Sequence, residues 1–240
     1  MADPVERFIA LLQNSPVDGA VFNPWWEVDR ENDITSEAPR IRREQLTNYL
    51  QDRLGRASIA LIGEALGYRG GHFTGIPMTS EPILLSQQQH NLVLSVQPRR
   101  TSKPSLAKDG FAEPTATIVW NSTRELEFQP YEFVRWNAFP WHPFQRQKGM
   151  LSNPCPNPAE LDSGLPILNE FLNLFSCSKV IALGRFGAAQ IVKAGFPPLA
   201  VRHPASGGAR RFQGQLNEIL RDETMNRIPH SQRLRKEGVG

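Results

Sequence analysis

Cysteine is nearly missing from this chain, with only Cys155 and Cys177 in 240 residues. Two distant cysteines build no disulfide framework and no CxxC metal spacing, so a reducing cytoplasm is the expected compartment. Long apolar runs are missing too. No stretch approaches the roughly 18 residues that a membrane span needs. The opening Met1-Ala2-Asp3-Pro4-Val5-Glu6 lacks the basic-then-apolar order of a secretory signal. The spacings GxGxxG and GxxxxGK[ST], which mark nucleotide-binding loops, do not occur. Nor is there an internal repeat.

Charge is present but unevenly spread. The formal net charge is +3. Residues 1–180 hold 17 Lys/Arg against 20 Asp/Glu, whereas residues 181–240 hold 10 against 4. Positive charge gathered in one part of a chain suits a phosphate backbone, because each neutralised phosphate releases condensed counterions. A solvated basic tail is the plainer account of the last residues, Arg227 to Lys236.

The elements follow from periodicity. Val5 to Gln13 and Arg42 to Leu54 carry helical spacing. Between them, residues 15–40 are polar and proline-bearing and hold Trp25-Trp26, which implies an ordered loop pinned by aromatics. Strand signals fall at Ser58–Ile62, Ala116–Trp120, Phe133–Asn137 and Val180–Leu183. Helical patterns fall at Glu81–Gln89, Ile167–Phe175, Phe186–Ala194 and Gln215–Arg221. Strands alternating with helices predict an α/β single domain, a mainly parallel four-stranded sheet flanked by helices on both faces. Within it, residues 1–54 form a helical and loop arm, 55–220 the core and 221–240 a basic tail. Gln97 to Pro114 is expected to be a surface excursion, and the proline-rich Ser152–Pro158 a loop running into a helix at Ala159.

Three stretches carry the chemistry. The first is Ile59-Ala60-Leu61-Ile62-Gly63-Glu64-Ala65-Leu66-Gly67-Tyr68, closed by Gly75-Ile76-Pro77-Met78. An apolar run ending on a glycine-built loop lets a ligand approach the backbone at the carboxyl end of a strand. The second is Arg135-Trp136-Asn137-Ala138-Phe139-Pro140, and the third is Val201-Arg202-His203-Pro204-Ala205-Ser206. In this order the trio resembles the uracil-DNA glycosylase superfamily, over roughly residues 55–220.

That resemblance implies hydrolysis of the N-glycosidic bond of uracil in DNA, leaving an abasic site. Breaking the bond puts positive charge on the sugar and negative charge on the base, so the useful groups are preorganised donors and a positioned water. By the likeness, His203 donates a hydrogen bond to the uracil O2, which a neutral imidazole can do. Asn137 reads O4 and N3, since an amide offers one donor and one acceptor. Glu64 stands in a Gly-Glu-Ala-Leu-Gly stretch similar to the Gly-Glu-(Ala or Gly)-Pro-Gly motif of the thermophile-type branch. Ala65 occupies the place where the best-known branch has a water-positioning aspartate, so Glu64 is the candidate for water and cation. The plainer roles are a turn histidine, a cap at the strand end, and a carboxylate holding its own loop.

The same likeness makes the loop Gly63, Ala65, Leu66, Gly67 and Tyr68 the base-binding wall, with Tyr68 either guarding C5 or simply packing. Met78 stands where the superfamily has a stacking phenylalanine, and Phe73 or Phe139 is the alternative stacking ring. Arg69, Arg202, Ser206, Arg210 and Arg211 are the expected DNA contacts. Gly184-Arg185-Phe186-Gly187 offers helix-start amides to a phosphate or is only a tight start. The thermophile-type branch holds an iron–sulfur cluster on four cysteines, which two cannot supply, so no metal or cofactor is expected. No lysine sits in the motifs to form a Schiff base, so strand cleavage is not expected. The expected partner is uracil-containing DNA, the expected state a monomer. Ala65 and Met78 leave open a preference for hypoxanthine, xanthine or mismatched bases, and a non-catalytic DNA-binding relative.

Overall fold

The computed structural model describes residues 3–16, 20–90, 92–126 and 128–227. Asp3 accepts the Val5 N–H at 2.8 Å and starts α1 (Pro4–Leu11), whose first position suits proline because that N–H is unused in a helix. The chain continues through β1 (Val21–Phe22), α2 (Ala38–Gln51), β2 (Ile59–Ala65), α3 (Gly71–Thr74), α4 (Glu81–Leu85), α5 (Gln87–His90) and α6 (Pro114–Arg124). After these come β3 (Phe133–Phe139), β4 (His142–Pro143), α7 (Pro158–Phe175), β5 (Lys179–Leu183), α8 (Arg185–Lys193), β6 (Leu199–Val201) and α9 (Ala209–Arg227).

Four of the strands form one parallel sheet in the order β3-β2-β5-β6, and β1 pairs antiparallel with β4. The sheet is flanked by helices on both faces, and its strands show it. Ala60, Ile62, Val134 and Ala182 pack with α1, α7 and α8, while Ile59, Leu61, Ile181 and Leu183 pack with Val119 of α6 and Phe212, Leu216 and Leu220 of α9. Burial on both sides is why β2 reads as a continuous apolar run. Phe8 meets Trp136 edge-on at 5.1 Å, and Trp136 stacks on Phe171 at 5.0 Å, docking α1 and α7 together.

Two expectations are corrected. Ala116–Trp120 is not a strand but part of α6, begun by Pro114. Its buried residues are Ala116, Val119, Trp120, Ser122 and Thr123, and the first three with Thr123 recur at helical spacing, a pattern that a five-residue apolar run cannot display. The fourth strand is β6, which has only three residues, two of them exposed on the sheet edge. Gln97–Pro114 is no mere surface excursion either. The buried Glu81 carboxylate accepts the backbone N–H groups of Thr101 (2.9 Å) and Ser102 (3.0 Å), and both residues are buried. The expected basic tail, 221–240, begins inside α9, and its residues 228–240 lie outside the described residues.

The arm over 1–54 is built into the loop after β2. Trp25 is fully buried and its indole N–H donates to the Gly75 carbonyl at 3.0 Å. Gln45 Nε2 reaches the Thr74 carbonyl at 2.9 Å. A Cβ at Gly75 (φ +73) would stand 2.5 Å from the Arg42 carbonyl oxygen, so only glycine fits there. Asp29, His72 and His142 form a buried chain, His72 Nε2 to Asp29 at 3.1 Å and His72 Nδ1 to His142 Nδ1 at 2.9 Å. It ends on the Ser152 carbonyl, 2.9 Å from His142 Nε2.

Candidate functional site

The four parallel strands end on one edge, and the chain runs outward from β2 and β5 in opposite senses there. Ligands of open α/β sheets bind at such a switch point. A cleft of 580 Å³ opens at this place, lined by Glu64 from the end of β2, Arg185 from the start of α8, and Arg202, His203, Ala205 and Ser206 after β6.

His203 is fixed by its own turn. The Ala205 N–H donates to His203 Nδ1 at 3.1 Å, so in the neutral ring the proton sits on Nε2. Burial, with Arg202 beside it, holds the imidazole below its usual value. The ring is therefore a neutral Nε2–H donor at pH 7. Gly184 (φ +90) leaves room for it, since a Cβ there would lie 3.2 Å from His203 Cβ. Ser206 holds φ +53, an uncommon backbone for a non-glycine residue, and it lines the cleft.

Glu64 is half-buried. Burial raises its carboxyl above the usual range, against a hydrogen bond from Cys155 and the charge of Arg185. Behind it the register pairs Gly63 with Asn137. A Cβ on Gly63 would stand 2.5 Å from Asn137 Oδ1 and 3.4 Å from Met78 Sδ. Glycine is thus what lets the amide and the thioether meet against the β2 backbone. Asn137 is 1% exposed, and among the described residues neither Oδ1 nor Nδ2 has a hydrogen-bond partner. Buried amides left unpaired are rare and destabilising, and neither Asn137 nor Met78 is among the residues that line the cleft. Met78 is held at φ +51 with its carbonyl accepting the Trp120 indole N–H at 2.9 Å.

The other candidates divide. Ala65 is half-buried, opposite Phe139 in the register. Leu66 is buried, and its N–H donates to the Trp141 carbonyl, a bond the usual proline could not make. Asn153 fixes Gly67-Tyr68 by accepting the Tyr68 N–H at 2.9 Å. Tyr68, Arg69 and Phe73 form a separate flank with Phe111. Arg69 Nε donates to Tyr68 Oη at 2.8 Å, and Phe73 stacks on Phe111 at 5.1 Å. Phe73 and Phe139 are both buried, Phe139 edge-on to Trp141 at 5.5 Å, and neither lines the cleft. Arg210 and Arg211 occupy the first turn of α9, where no acidic residue stands and the helix dipole disfavours cations. Asn153 and Cys155 were not legible beforehand, because a proline-rich loop gives no sign of which loop it will touch. Arg185 was legible only as part of a helix start.

Fold and cleft together define an α/β protein with a preorganised polar site at the switch point of a four-stranded parallel sheet. No protein-family model and no curated protein matches the sequence. Among solved structures, the chain is similar to Pedobacter heparinus SMUG2, with a TM-score of 0.62 and 12% identity over 92% of this chain and 98% of that one. At that identity the likeness is one of fold.

Proposed function

We propose that this protein is a monofunctional DNA glycosylase that hydrolyses the N-glycosidic bond of deoxyuridine in DNA. The observations that support the reading are the buried Asn137 amide on β3, unpartnered among the described residues, and, across the sheet, a cleft histidine whose own turn fixes it as an Nε2–H donor. The structural neighbour, Pedobacter heparinus SMUG2, is a glycosylase of the uracil-DNA glycosylase superfamily, which supports the class of reaction.

In this mechanism the flipped uracil enters between the β2 loop and Met78. Asn137 gives Nδ2–H to O4 and accepts N3–H on Oδ1, a pairing cytosine cannot return. As the C1′–N1 bond breaks, its electron pair leaves with the base, and the His203 Nε2–H bond strengthens as charge builds on O2. The sugar becomes an oxocarbenium ion. Glu64, its carboxylate made more basic by burial, faces that cation and takes a proton from the water whose oxygen bonds to C1′. Arg202, Ser206, Arg210 and Arg211 grip the backbone, with Tyr68 and Arg69 on the opposite flank. Asn137 binds its edge by geometry alone, so Met78, an unbranched thioether rather than a rigid ring, is where tolerance of other deaminated bases would arise.

The test is a labelled oligonucleotide with one uracil, incubated in EDTA and then treated with hot alkali. Wild type cleaves. Glu64→Gln, Asn137→Ala and His203→Ala each lose about 100-fold or more, the usual effect of removing one preorganised group. A uracil oligonucleotide left uncut by wild type, with hypoxanthine and xanthine substrates also uncut, overturns the reading and leaves a DNA-binding protein without turnover.

A further inference from the structure

Arg135 lies on β3 two residues before Asn137 and on the same side of the strand. It is 1% exposed. Its guanidinium sits 3.5 Å over the Trp120 ring and 5.9 Å from Phe133, and Nη2 donates to Thr123 Oγ1 at 2.7 Å. Among the described residues, Nε and Nη1 have no hydrogen-bond partner. Burial lowers the group only to about 10, so it is charged at neutral pH.

No carboxylate stands beside it among the described residues, and what favours its charge is the Trp120 ring face and the Tyr49 side chain. Arg53, also fully buried, spends its N–H groups on the carbonyls of Phe133 (3.0 Å) and Tyr49 (2.9 Å) and adds a second cation. Arg135 faces a small cavity with His90, Arg124, Phe128 and Phe133 among its walls and no carboxylate among the described residues. His90 Nδ1, buried there, lacks a partner as well. The space in which the centre of a water-sized particle can sit is only 10 Å³, so the cavity takes a single small occupant. A buried cation stays only where it is paired and hydrogen-bonded. The cavity is too small for a phosphate or carboxylate, and its donors and aromatic edges are electropositive.

We propose that this cavity binds one small monovalent anion of chloride size, held by Arg135 Nε and Nη1 and by His90. The site is separate from the cleft yet connected to it. Trp120, the ring under the guanidinium, is the residue that holds the Met78 carbonyl. An anion that seats Arg135 thereby steadies the turn behind the Asn137 amide.

The test exchanges the protein into sodium gluconate and titrates in sodium chloride at constant ionic strength. Wild type gains a saturating rise in Tm, roughly 3–6 °C at about ten times the dissociation constant. Arg135→Met, which keeps a long apolar stem over Trp120, shows no chloride dependence. Crystals grown in sodium bromide, which need no variant, show an anomalous peak within about 3.5 Å of Arg135 Nη1. A flat response in wild type, an equal response in Arg135→Met, or an absent bromide peak each overturns the proposal and assigns the cavity to water.

Discussion

Gly63→Ala is the sharpest test of the site. The new Cβ would stand 2.5 Å from Asn137 Oδ1, against the 3.0 Å below which side-chain contacts are not seen, and 3.4 Å from Met78 Sδ. The β2 backbone is fixed by parallel neighbours on both sides, so the amide must give way. Restoring an ordinary contact needs a displacement of about 1 Å, and a misplacement of that size costs about 100-fold in rate. Overpacking at a buried position costs about 1–3 kcal/mol of stability. At 240 residues that lowers Tm by roughly 2–12 °C, so the variant remains folded at 25 °C. Single-turnover excision from a uracil oligonucleotide, run beside a thermal melt, separates the two effects. A Gly63→Ala enzyme within threefold of wild type would show that Asn137 does not need its present position, and the proposed reading of the base would fall.

Three further outcomes are expected. The His203 imidazole must be neutral, and its pKa lies below the ordinary 6.5. Activity is therefore flat from pH 7 to 8 and falls on the acid side at a midpoint below 6.5, and a kcat/KM profile that rises toward pH 5 refutes this. Glu113 is held up at about 7 by burial, and its Oε2 has no partner. A raised carboxyl stabilises the fold below about pH 4.5 and loses that contribution as pH rises through 7, so Glu113→Gln raises Tm at pH 8 by an amount worth about 1–3 kcal/mol and has little effect at pH 4. Urea melts at the two pH values check the sign. Arg210→Ala and Arg211→Ala each weaken binding to any DNA sequence and flatten the log–log salt dependence by about 0.9 per lost phosphate contact. Fluorescence anisotropy from 50 to 200 mM salt measures it, and an unchanged slope removes that arginine from the interface.

Much of the fold was legible because the sheet is buried on both faces. An apolar run that ends on Gly63 has few other meanings, and Arg202-His203 directly follows β6, while Asn137, expected to end its strand, lies inside β3, which runs on to Phe139. What was not legible depended on small or distant things. α6 hid in a run too short to show a period, and β6 hid because an edge strand of three residues needs little hydrophobicity. The cleft's supporting partners were invisible for another reason. Asn153 and Cys155 touch the β2 loop across more than 80 residues of sequence, and nothing local marks them. Phe139 looked available as a stacking ring because it follows Asn137, but the pleat and Trp141 take it into the core.

The anchoring of the β2 loop has a consequence for how the molecule opens. The loop is closed from both sides of the sequence. Trp25 reaches Gly75 over 50 residues, and Asn153 reaches Tyr68 over 85. Neither clasp can form from a local hairpin or helix, and each carries a large loop-closure entropy. The β2 amides lie in a ladder with β3 and β5, whereas the glycine loop rests on turn bonds and side-chain clasps, so the loop opens before the strand on partial unfolding. Amide exchange at Gly67 to Gly71 should therefore outrun exchange in β2 itself, although the two segments adjoin in the chain. The loop would then loosen while the sheet beneath it stays paired, and the arm's two bonds to Thr74 and Gly75 set how readily it does so.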